Sequence, residues 1–352
     1  MMEFMDSFDH YNTSDELVAK WTTANGSSLG PGRNGQGLIL AGVMKSLSLQ
    51  TEWITGFAFN IKTSTGLGAI EPLYQILNVN TTIGTMAVDT DGSISLWAGN
   101  GFNNLIATTL TDSPPFYLHP NQWYYCEIKW VITPGMNTAV GATLKINNVQ
   151  VAFGSASSGL NANNFLVPGS GANVHQWSNL DIFGNVVLDD LNIKNANGAF
   201  NNDFIGDVKI GCLYPRQDVL TQWNGLIPGN QFSQINSQFP VGDSSYVYAT
   251  SDPHAPTTPS DNFNWQPVSP FVGSIIAVQY LVYARKDDEG TREIQQFFGT
   301  PGSSFPGALS PVWSLGDTYL YYYYDMDINP STGSAWGVAD FNSSQFGFQL
   351  VG

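Results

Sequence analysis

Short apolar runs alternate with polar turns along most of this 352-residue chain. Within the runs, apolar residues tend to recur at every second position, which is typical of β-strands with one buried face. Seven such segments lie between residues 37 and 195, and each predicts a strand or a hairpin. The pattern therefore predicts an all-β first half.

Two hairpin turns stand out in that half. Asp91-Gly92 separates two alternating runs, and Asn147-Asn148 separates two more. Asn, Asp and Gly supply the positive φ angles that tight hairpin turns require. Strands at this spacing favour a β-sandwich over β-α-β units.

The stretch from Leu188 to Pro215 predicts a domain boundary. LDDLNIKN reads as the last strand of one domain, and GDVKIGCLYP reads as the first strand of the next. The residues between them are too polar and Gly-rich for the interior of a strand or helix. We therefore expect domains at 1–198 and 199–352.

The second half also predicts mostly strands. A long strand near residues 273–285 leads into a charged turn at Lys286–Gly290 and then a partner strand. Further strands are expected at TYLYYYYDMDINP and SQFGFQLVG, with a short helix near Gly337–Ser343. The whole chain should thus consist of two β domains.

Composition strengthens this view and excludes some functions. Charged residues make up only 11% of the chain, and 36 Gly and 19 Pro disfavour a helical protein. The net charge of −16, with scattered Lys and Arg, argues against binding nucleic acid through its phosphates. No run of 18 apolar residues predicts a membrane span.

The termini and cysteines carry less information. The N-terminal MMEFMDSFDHYN contains no Lys or Arg and does not resemble a secretory signal. Cys126 and Cys212 lie in strand-like segments of different expected domains. We expect buried free thiols, with a bridge between them as the alternative.

Several motifs resemble a known family. The first half resembles a concanavalin A-like, or laminin G-like, jelly-roll domain through FDHYNTSDELVAKW, Gly35–Leu38, VDTDGSISL, WYYCEIKW and VVLDDLNIKN. The whole chain resembles two-domain structural proteins of tailed bacteriophages and prophages through LDDLNIKNANGAFNNDFIGDVKI, residues 284–288 and 290–292, and NPSTGSAWGVADFNSSQFG. The resemblance implies a jelly-roll sandwich followed by a second, smaller β-sandwich domain involved in virion assembly.

Catalytic motifs were sought among the carboxylates. A retaining glycosidase needs two carboxyl groups about 5 Å apart. The chain has no Glu-x-Asp-x-x-Glu pattern, and Glu127 has Lys129 two positions further on. We expect Glu127 to pair with a neighbouring base, and we expect the protein not to be an enzyme.

Metal sites are suggested only by the laminin G-like resemblance, which implies calcium bound by Asp and backbone carbonyls. The candidates are Asp89, Asp91 and Asp189. The simpler interpretation places Asp89 and Asp91 in a turn, where Asp binds its own backbone. The four histidines have no spacing typical of a zinc site.

Aromatic and basic residues are the remaining binding candidates. Trp177 and His175 lie in GANVHQWSNL, and Trp265 lies in DNFNWQP, both of which read as surface segments. Exposed Trp can stack on a sugar or fill a pocket of a protein partner. A partner surface near the charged turn would use Arg285, Lys286 and Arg292.

The resemblance implies a non-enzymatic component of a tailed phage particle, in the tail, collar or fibre, assembled in the host cytoplasm. Its partners would be other virion proteins and further copies of itself. The first alternative is a carbohydrate-binding module that recognises host surface glycans. The second is a capsid decoration protein. Neither a nucleic acid partner nor a membrane span is expected.

Overall fold

The computed structural model divides the chain into two compact units. Unit 1 contains Met1–Asp9 and Thr13–Ile210, and unit 2 contains His10–Asn12 and Gly211–Gly352. The structure describes residues 1–62, 69–99, 101–111, 114–133, 139–157, 171–178, 186–249, 259–269, 273–299 and 308–351.

Two antiparallel sheets form unit 1. Sheet A has the strand order β13-β12-β11-β6-β15-β4-β3, with β1 also paired to β15, and sheet B has the order β10-β9-β8-β7-β14-β5-β2. The strands are β1 (Met2–Asp6), β2 (Thr23–Ala24), β3 (Ser28–Pro31), β4 (Gln36–Leu40), β5 (Gly42–Gln50), β6 (Glu52–Asn60), β7 (Glu71–Asn78), β8 (Thr81–Val88), β9 (Ile94–Ala98), β10 (Leu105–Thr108), β11 (Trp123–Thr133), β12 (Ala139–Ile146), β13 (Val149–Ser157), β14 (Ala172–Ser178) and β15 (Val186–Asn195). Two 3-10 helices, Ser14–Ala19 and Thr109–Thr111, complete the unit.

Large aromatic side chains fill the space between the two sheets. Trp53, Phe57 and Trp130 of sheet A are fully buried, as is Tyr74 of sheet B. Gly84 makes room for the Trp130 ring, since a Cβ there would lie 2.7 Å from a ring carbon. This packing identifies the inner face of each sheet and, by alternation, the outer face.

Both expected hairpins form. β12 and β13 meet at Asn147-Asn148, which have φ of 49° and 69°. β8 and β9 meet around Asp91-Gly92, but of the two only Gly92 has a positive φ, of 88°. The five residues between the strands make this second loop wider than a two-residue turn.

The Asp189-Asp190 pair lies where β15 changes partner. β4 pairs with Val186–Leu188, and β1 pairs with Leu191–Lys194, so the two acids fall in the gap between these partners. The register between β15 and β6 also shifts here. Asp190 has a φ of 49°, a conformation that Asp and Asn adopt more readily than most residues.

A segment without regular structure, residues 199–210, crosses the outer face of sheet A. We call it the strap. Its backbone binds sheet side chains: Ile205 and Gly206 donate to Glu127 at 2.8 and 2.9 Å, and Asp207 donates to Asn148 at 2.8 Å. Outer-face side chains of sheet A thereby hold the strap.

Glu127 and Lys194 form an ion pair beneath the strap. Their side chains are 1% and 0% exposed, and Lys194 Nζ lies 3.3 Å from Glu127 Oε1. Lys194 Nζ also donates to the Asp203 carbonyl at 3.2 Å. The expected base next to Glu127 is thus Lys194, while Lys129 pairs with Glu52.

Unit 2 is a smaller sandwich. A five-stranded sheet has the order β16-β19-β24-β21-β22, and two further sheets pair β17 with β18 and β20 with β23. Its elements are β16 (Pro215–Thr221), β17 (Asn224–Gly225), α1 (Phe232–Ile235), a 3-10 helix (Gly242–Ser244), β18 (Val247–Tyr248), β19 (Ser260–Trp265), β20 (Val278–Ala284), β21 (Glu293–Gly299), β22 (Ala308–Ser314), β23 (Leu320–Met326), α2 (Val338–Ser343) and β24 (Gln345–Val351).

Aromatic residues from two of these sheets share one core. Phe263, Phe298 and Phe346 from the five-stranded sheet pack with Tyr280 of β20 and Tyr322 of β23. The expected short helix forms as α2. The fold class is confirmed: the protein is all-β, with a jelly-roll sandwich followed by a smaller β-sandwich.

Two features of the expected boundary differ in the structure. The division between the units falls after Ile210 instead of after residue 198, because the strap is bound to sheet A. GDVKIGCLYP does not form the expected strand, and β16 begins only at Pro215. Side chains take the place of a partner strand, since the amides of Asp207 and Ile210 donate to Asn148 and Asp190.

Both cysteines are free, with Cys126 buried and Cys212 half-buried. The Cys126 Sγ lies 3.8 Å from the Met86 Sδ in the core of unit 1. Within the described part of the chain, no helix is long and apolar enough to cross a membrane.

We predict that Glu127→Gln lowers the free energy of unfolding of unit 1 by about 3 kcal/mol. The amide accepts only one of the two strap N–H groups and removes the negative charge that pairs with the buried Lys194. Urea unfolding measures the change. Glu52→Gln, which removes an exposed partner from the same sheet, is the control and should cost less than about 1 kcal/mol. Equal effects of the two substitutions would contradict the structural role of Glu127.

Candidate functional site

A row of aligned side chains crosses the outer face of sheet B. Gln176 of β14 lies opposite Gln75 of β7, Gln75 lies opposite Thr85 of β8, and Thr85 lies opposite Trp97 of β9. Opposite residues of antiparallel strands share one face of a sheet. We call these four residues the polar row. It spans about 14 Å, because adjacent strands are about 4.8 Å apart.

The inner neighbours of these residues show that the polar row faces away from the core. His175 and Trp177 flank Gln176 and are fully buried, and Gly84 next to Thr85 packs on the Trp130 ring. Gln75, Gln176 and Trp97 are half-buried, whereas Thr85 is 2% exposed. The two amides and the indole are therefore the accessible parts of the row.

The side-chain amides of Gln75 and Gln176 each donate one hydrogen bond within sheet B. Gln75 Nε2 donates to Thr85 Oγ1 at 3.0 Å, and Gln176 Nε2 donates to Ser178 Oγ at 3.3 Å. An amide group offers two N–H donors and a carbonyl acceptor. Each glutamine can thus donate and accept further hydrogen bonds from a ligand.

Trp97 is held by a chain of two hydrogen bonds. Its indole Nε1 donates to Ser95 Oγ at 2.7 Å, and the Ser95 hydroxyl donates to Asp89 Oδ1 at 2.8 Å. The ring also makes a T-shaped contact with Phe102, with centroids 5.6 Å apart. The polar atom of the indole is satisfied within the protein, and the ring is held on the outer face.

This arrangement suits a ligand that has both an apolar face and several hydroxyl groups. An oriented aromatic ring supplies a stacking surface, and a few placed polar groups set the orientation of the ligand. The polar row itself contains amide, hydroxyl and indole groups and no ionisable side chain.

Trp177 and His175 require a correction. We expected them on a surface loop, but they lie on β14 and are fully buried between the sheets. Burial lowers the pKa of His175 to about 3 and raises the pKa of its neighbour Tyr74. The Tyr74 hydroxyl lies 2.7 Å from His175 Nδ1. Both residues are core components, so neither can form a surface for a ligand or partner.

Trp265 packs against the core of unit 2. It lies on β19, half-buried, with its ring against Tyr280 and Phe346 of the unit 2 core. Its indole nitrogen donates to the Phe346 carbonyl at 3.4 Å. Contact of Trp265 with a ligand or partner stays a prediction.

The basic residues of the charged turn already have partners within unit 2. Arg285 pairs with Asp243 at 3.0 Å and lies over the Tyr319 ring. Lys286 Nζ donates to the Gly290 carbonyl at 2.7 Å, and the Arg292 guanidinium pairs with Asp288. Arg285 therefore pairs with an acid outside the charged turn, whereas Arg292 pairs with one inside it. A role in subunit contacts stays a prediction.

The three calcium candidates have structural hydrogen bonds. Asp89 accepts from Ser93 and Ser95, and Asp91 accepts from the Ser93 amide and hydroxyl. Asp189 accepts from three backbone amides, those of Arg33, Asn34 and Asp190. No group of three His, Cys, Asp or Glu side chains in the described ranges is arranged to hold a metal. Calcium binding stays a prediction.

The pKa values of Asp189 and Asp190 are both raised above the usual value for Asp. Burial, and secondarily the charge of Asp190, raise the pKa of Asp189 to about 7. Burial also raises the pKa of Asp190 to about 6, against the hydrogen bond from the Ile210 amide and the charge of Arg33. These carboxyls accept hydrogen bonds from the β3–β4 turn, the bulge of β15 and the strap, and burial is the main cause of both shifts.

A second surface lies on the outer face of sheet A, beyond the strap. It is a shallow groove of about 350 Å³ along β11, β12 and β13. Phe153 is 67% exposed there, and Val131 is 40% exposed. The one cation in the groove, Lys129, is paired with Glu52 and Asp203. The polar side chains that line the groove are Lys129, Thr143 and Ser155, and its aromatic ring, Phe153, has no hydrogen-bonding atom that could fix its orientation.

Sequence reasoning did not select Gln75, Gln176 or Thr85, and it did not single out Trp97 from the other tryptophans. Alternation in GTMAVDTDGSISLW does place Thr85 and Trp97 on one face of the hairpin. The two glutamines join them only through the pairing of β7 with β8 and β14. That pairing links distant parts of the chain and leaves no local pattern.

The chain has matches among known proteins in its fold and none in its sequence. No protein-family model matches the chain, and no curated protein matches it. Seventy-three chains of solved structures match. One is alginate lyase Aly36B, with 12% identity, a TM-score of 0.38, and coverage of 55% of this chain and 97% of that chain.

Two further matches have similar values. Endo-β-1,4-glucuronan lyase from the fungus Trichoderma reesei has 8% identity and a TM-score of 0.35, with coverage of 55% of this chain and 95% of that chain. The binding domain of botulinum neurotoxin DC in complex with SialylT has 11% identity and a TM-score of 0.32, with coverage of 47% and 40%. Identities this low indicate likeness of fold alone.

These matches correct one expectation. We expected a protein that is not an enzyme, on the ground that paired catalytic carboxylates are missing. Structures matched by this fold include two lyases. The carboxylate test concerned hydrolysis, and lyases are a different class of enzyme. The inference from missing glycosidase motifs to a non-enzymatic protein is therefore wrong.

We predict that Asp189 makes stability depend on pH. A carboxyl whose pKa is about 7 when folded and about 3.9 when unfolded binds its proton more tightly in the folded state between these values. Asp189 therefore contributes to the free energy of unfolding at low pH, and this contribution is lost as the pH rises through 7. The free energy of unfolding should fall from pH 5 to pH 8 more steeply in the parent than in Asp189→Asn.

The difference between these two proteins isolates Asp189 from His175, whose lowered pKa acts in the opposite sense because acid favours its unfolded form. Urea unfolding at four pH values between 5 and 8 measures the difference. A parent that gains stability over Asp189→Asn as the pH rises would contradict the raised pKa.

Proposed function

We propose that unit 1 is a carbohydrate-binding domain and that a glycan lies along the polar row. The observation that carries the proposal is the anchored Trp97, whose indole nitrogen is tied to Ser95 and through it to Asp89. Gln75 and Gln176 lie two and three strands away along the same face, and each has further side-chain hydrogen-bonding groups. A pyranose has an apolar face for the ring and hydroxyl groups for the amides.

The strand spacing supports an extended ligand. Gln176 and Trp97 lie at opposite ends of the row, three strand spacings apart, which is about 14 Å. A single sugar ring cannot contact both ends. We therefore expect binding to strengthen with the length of the oligosaccharide until both ends of the row are occupied.

We predict that Trp97→Ala weakens glycan binding at least about 30-fold, since a Trp that carries binding often contributes about 2 kcal/mol or more to the binding free energy. Gln75→Ala should weaken it less. Isothermal titration calorimetry with the full chain, after a screen of immobilised neutral and acidic polysaccharides, measures both.

Trp123→Ala is the matched control, because Trp123 is a half-buried tryptophan on β11 of the other sheet. The Trp123→Ala variant should bind the glycan with the same affinity as the parent protein. Equal losses for Trp97→Ala and Trp123→Ala, or no binding to any polysaccharide in the screen, would refute the proposal.

We further propose that this binding domain is carried by a tailed phage particle. Support comes from the sequence resemblance through LDDLNIKNANGAFNNDFIGDVKI and the motifs of the second half. In that setting unit 2 would make the assembly contacts and unit 1 would meet host glycans. Locating the chain in an electron-microscopy map of purified particles tests this, and its absence from the particles would contradict it.

A further inference from the structure

The charged residues of unit 1 are distributed unequally between its two sheets. The polar row on sheet B contains no acid and no base. The nearest carboxylate in its supporting chain, Asp89, has both oxygens engaged by Ser93 and Ser95. A ligand along the row would thus meet the two amides and the indole, which are the accessible parts of the row.

No Lys or Arg residue of unit 1 belongs to the polar row. Unit 1 contains eight Lys and Arg residues. Five belong to sheet A, its turns or the strap, where they contact acids, amides or an aromatic ring: Arg33, Lys129, Lys145, Lys194 and Lys209. Lys20 and Lys45 are buried, and Lys62 follows β6 of sheet A.

This distribution bears on which glycan can bind. A carboxylate or sulfate that leaves water needs a paired cation or several donors, and otherwise its desolvation opposes binding. The polar row offers an anionic sugar no cation. The net charge of −16 adds a long-range repulsion. Uncharged hydroxyl and acetamido groups carry neither penalty and match the amides of Gln75 and Gln176.

We propose, building on the glycan-binding function above, that the ligand class of the polar row is an uncharged polysaccharide of hexose or N-acetylhexosamine units. Uronic-acid and sulfated glycans are excluded from it by the lack of a cation. On this account the row prefers uncharged glycans because the cations of unit 1 lie outside it, mostly on sheet A.

The test compares three sets of hexasaccharides with the full chain by calorimetry: neutral hexoses, neutral N-acetylhexosamines and uronic acids. We expect at least one neutral set to bind more tightly than the uronic acids by about tenfold or more. Neutral binding should change less than about twofold between 20 and 500 mM NaCl. Uronic acids should still bind weakly at 500 mM NaCl, because salt screens the long-range repulsion but does not supply a cation to the row.

A charge variant tests the same inference from the opposite direction. Gln75→Lys places a cation on the row and should gain salt-sensitive binding of uronic acids. Thr143→Lys, which adds the same charge on β12 of sheet A, is the control and should gain none.

The outcomes separate the two proposals. Binding of uronic acids that equals or exceeds neutral binding, and that Trp97→Ala abolishes, would overturn the neutral class and leave the glycan-binding function standing. Binding of none of the three sets would count against the glycan-binding function itself. Neutral binding that Trp97→Ala does not weaken would place the site elsewhere and overturn the inference.

Discussion

The buried ion pair between Glu127 and Lys194 is the interaction on which the arrangement of unit 1 depends. Glu127 binds two consecutive strap amides, and Lys194 binds a strap carbonyl and Glu127 itself. An ion pair of this kind persists in a protein interior only when further hydrogen bonds satisfy it. The strap supplies those bonds, so the pair and the strap require each other.

The strap also adds charged residues to the outer face of sheet A. The strap brings acids such as Asp203 and Asp207 to the cations of sheet A, where Lys129 and Arg33 pair with them. The charges of unit 1 are thereby concentrated on one side of the sandwich. The polar row on the outer face of sheet B contains no charged residue.

Local patterns in the sequence predicted much of the fold and little of the site. Alternation and turn residues identify the hairpin at Asn147-Asn148 and the β15 strand, because both depend on neighbours in the chain. The misplacement of Trp177 arose from the Gly- and Asn-rich residues around it, which suggested a loop. Burial between two sheets overrode that composition. The pairing that joins Gln75 to Gln176 is non-local and has no signature in either segment.

The most direct test of the account is hydrogen–deuterium exchange of the full chain with and without a saturating neutral oligosaccharide. Bound ligand should slow exchange in β7, β8, β9 and β14, which carry the polar row, and leave the strap and β11 to β13 unchanged. Protection confined to β11, β12 and β13 would place the ligand in the groove of sheet A. That result would contradict the claim that unit 1 binds glycans through the uncharged face of sheet B.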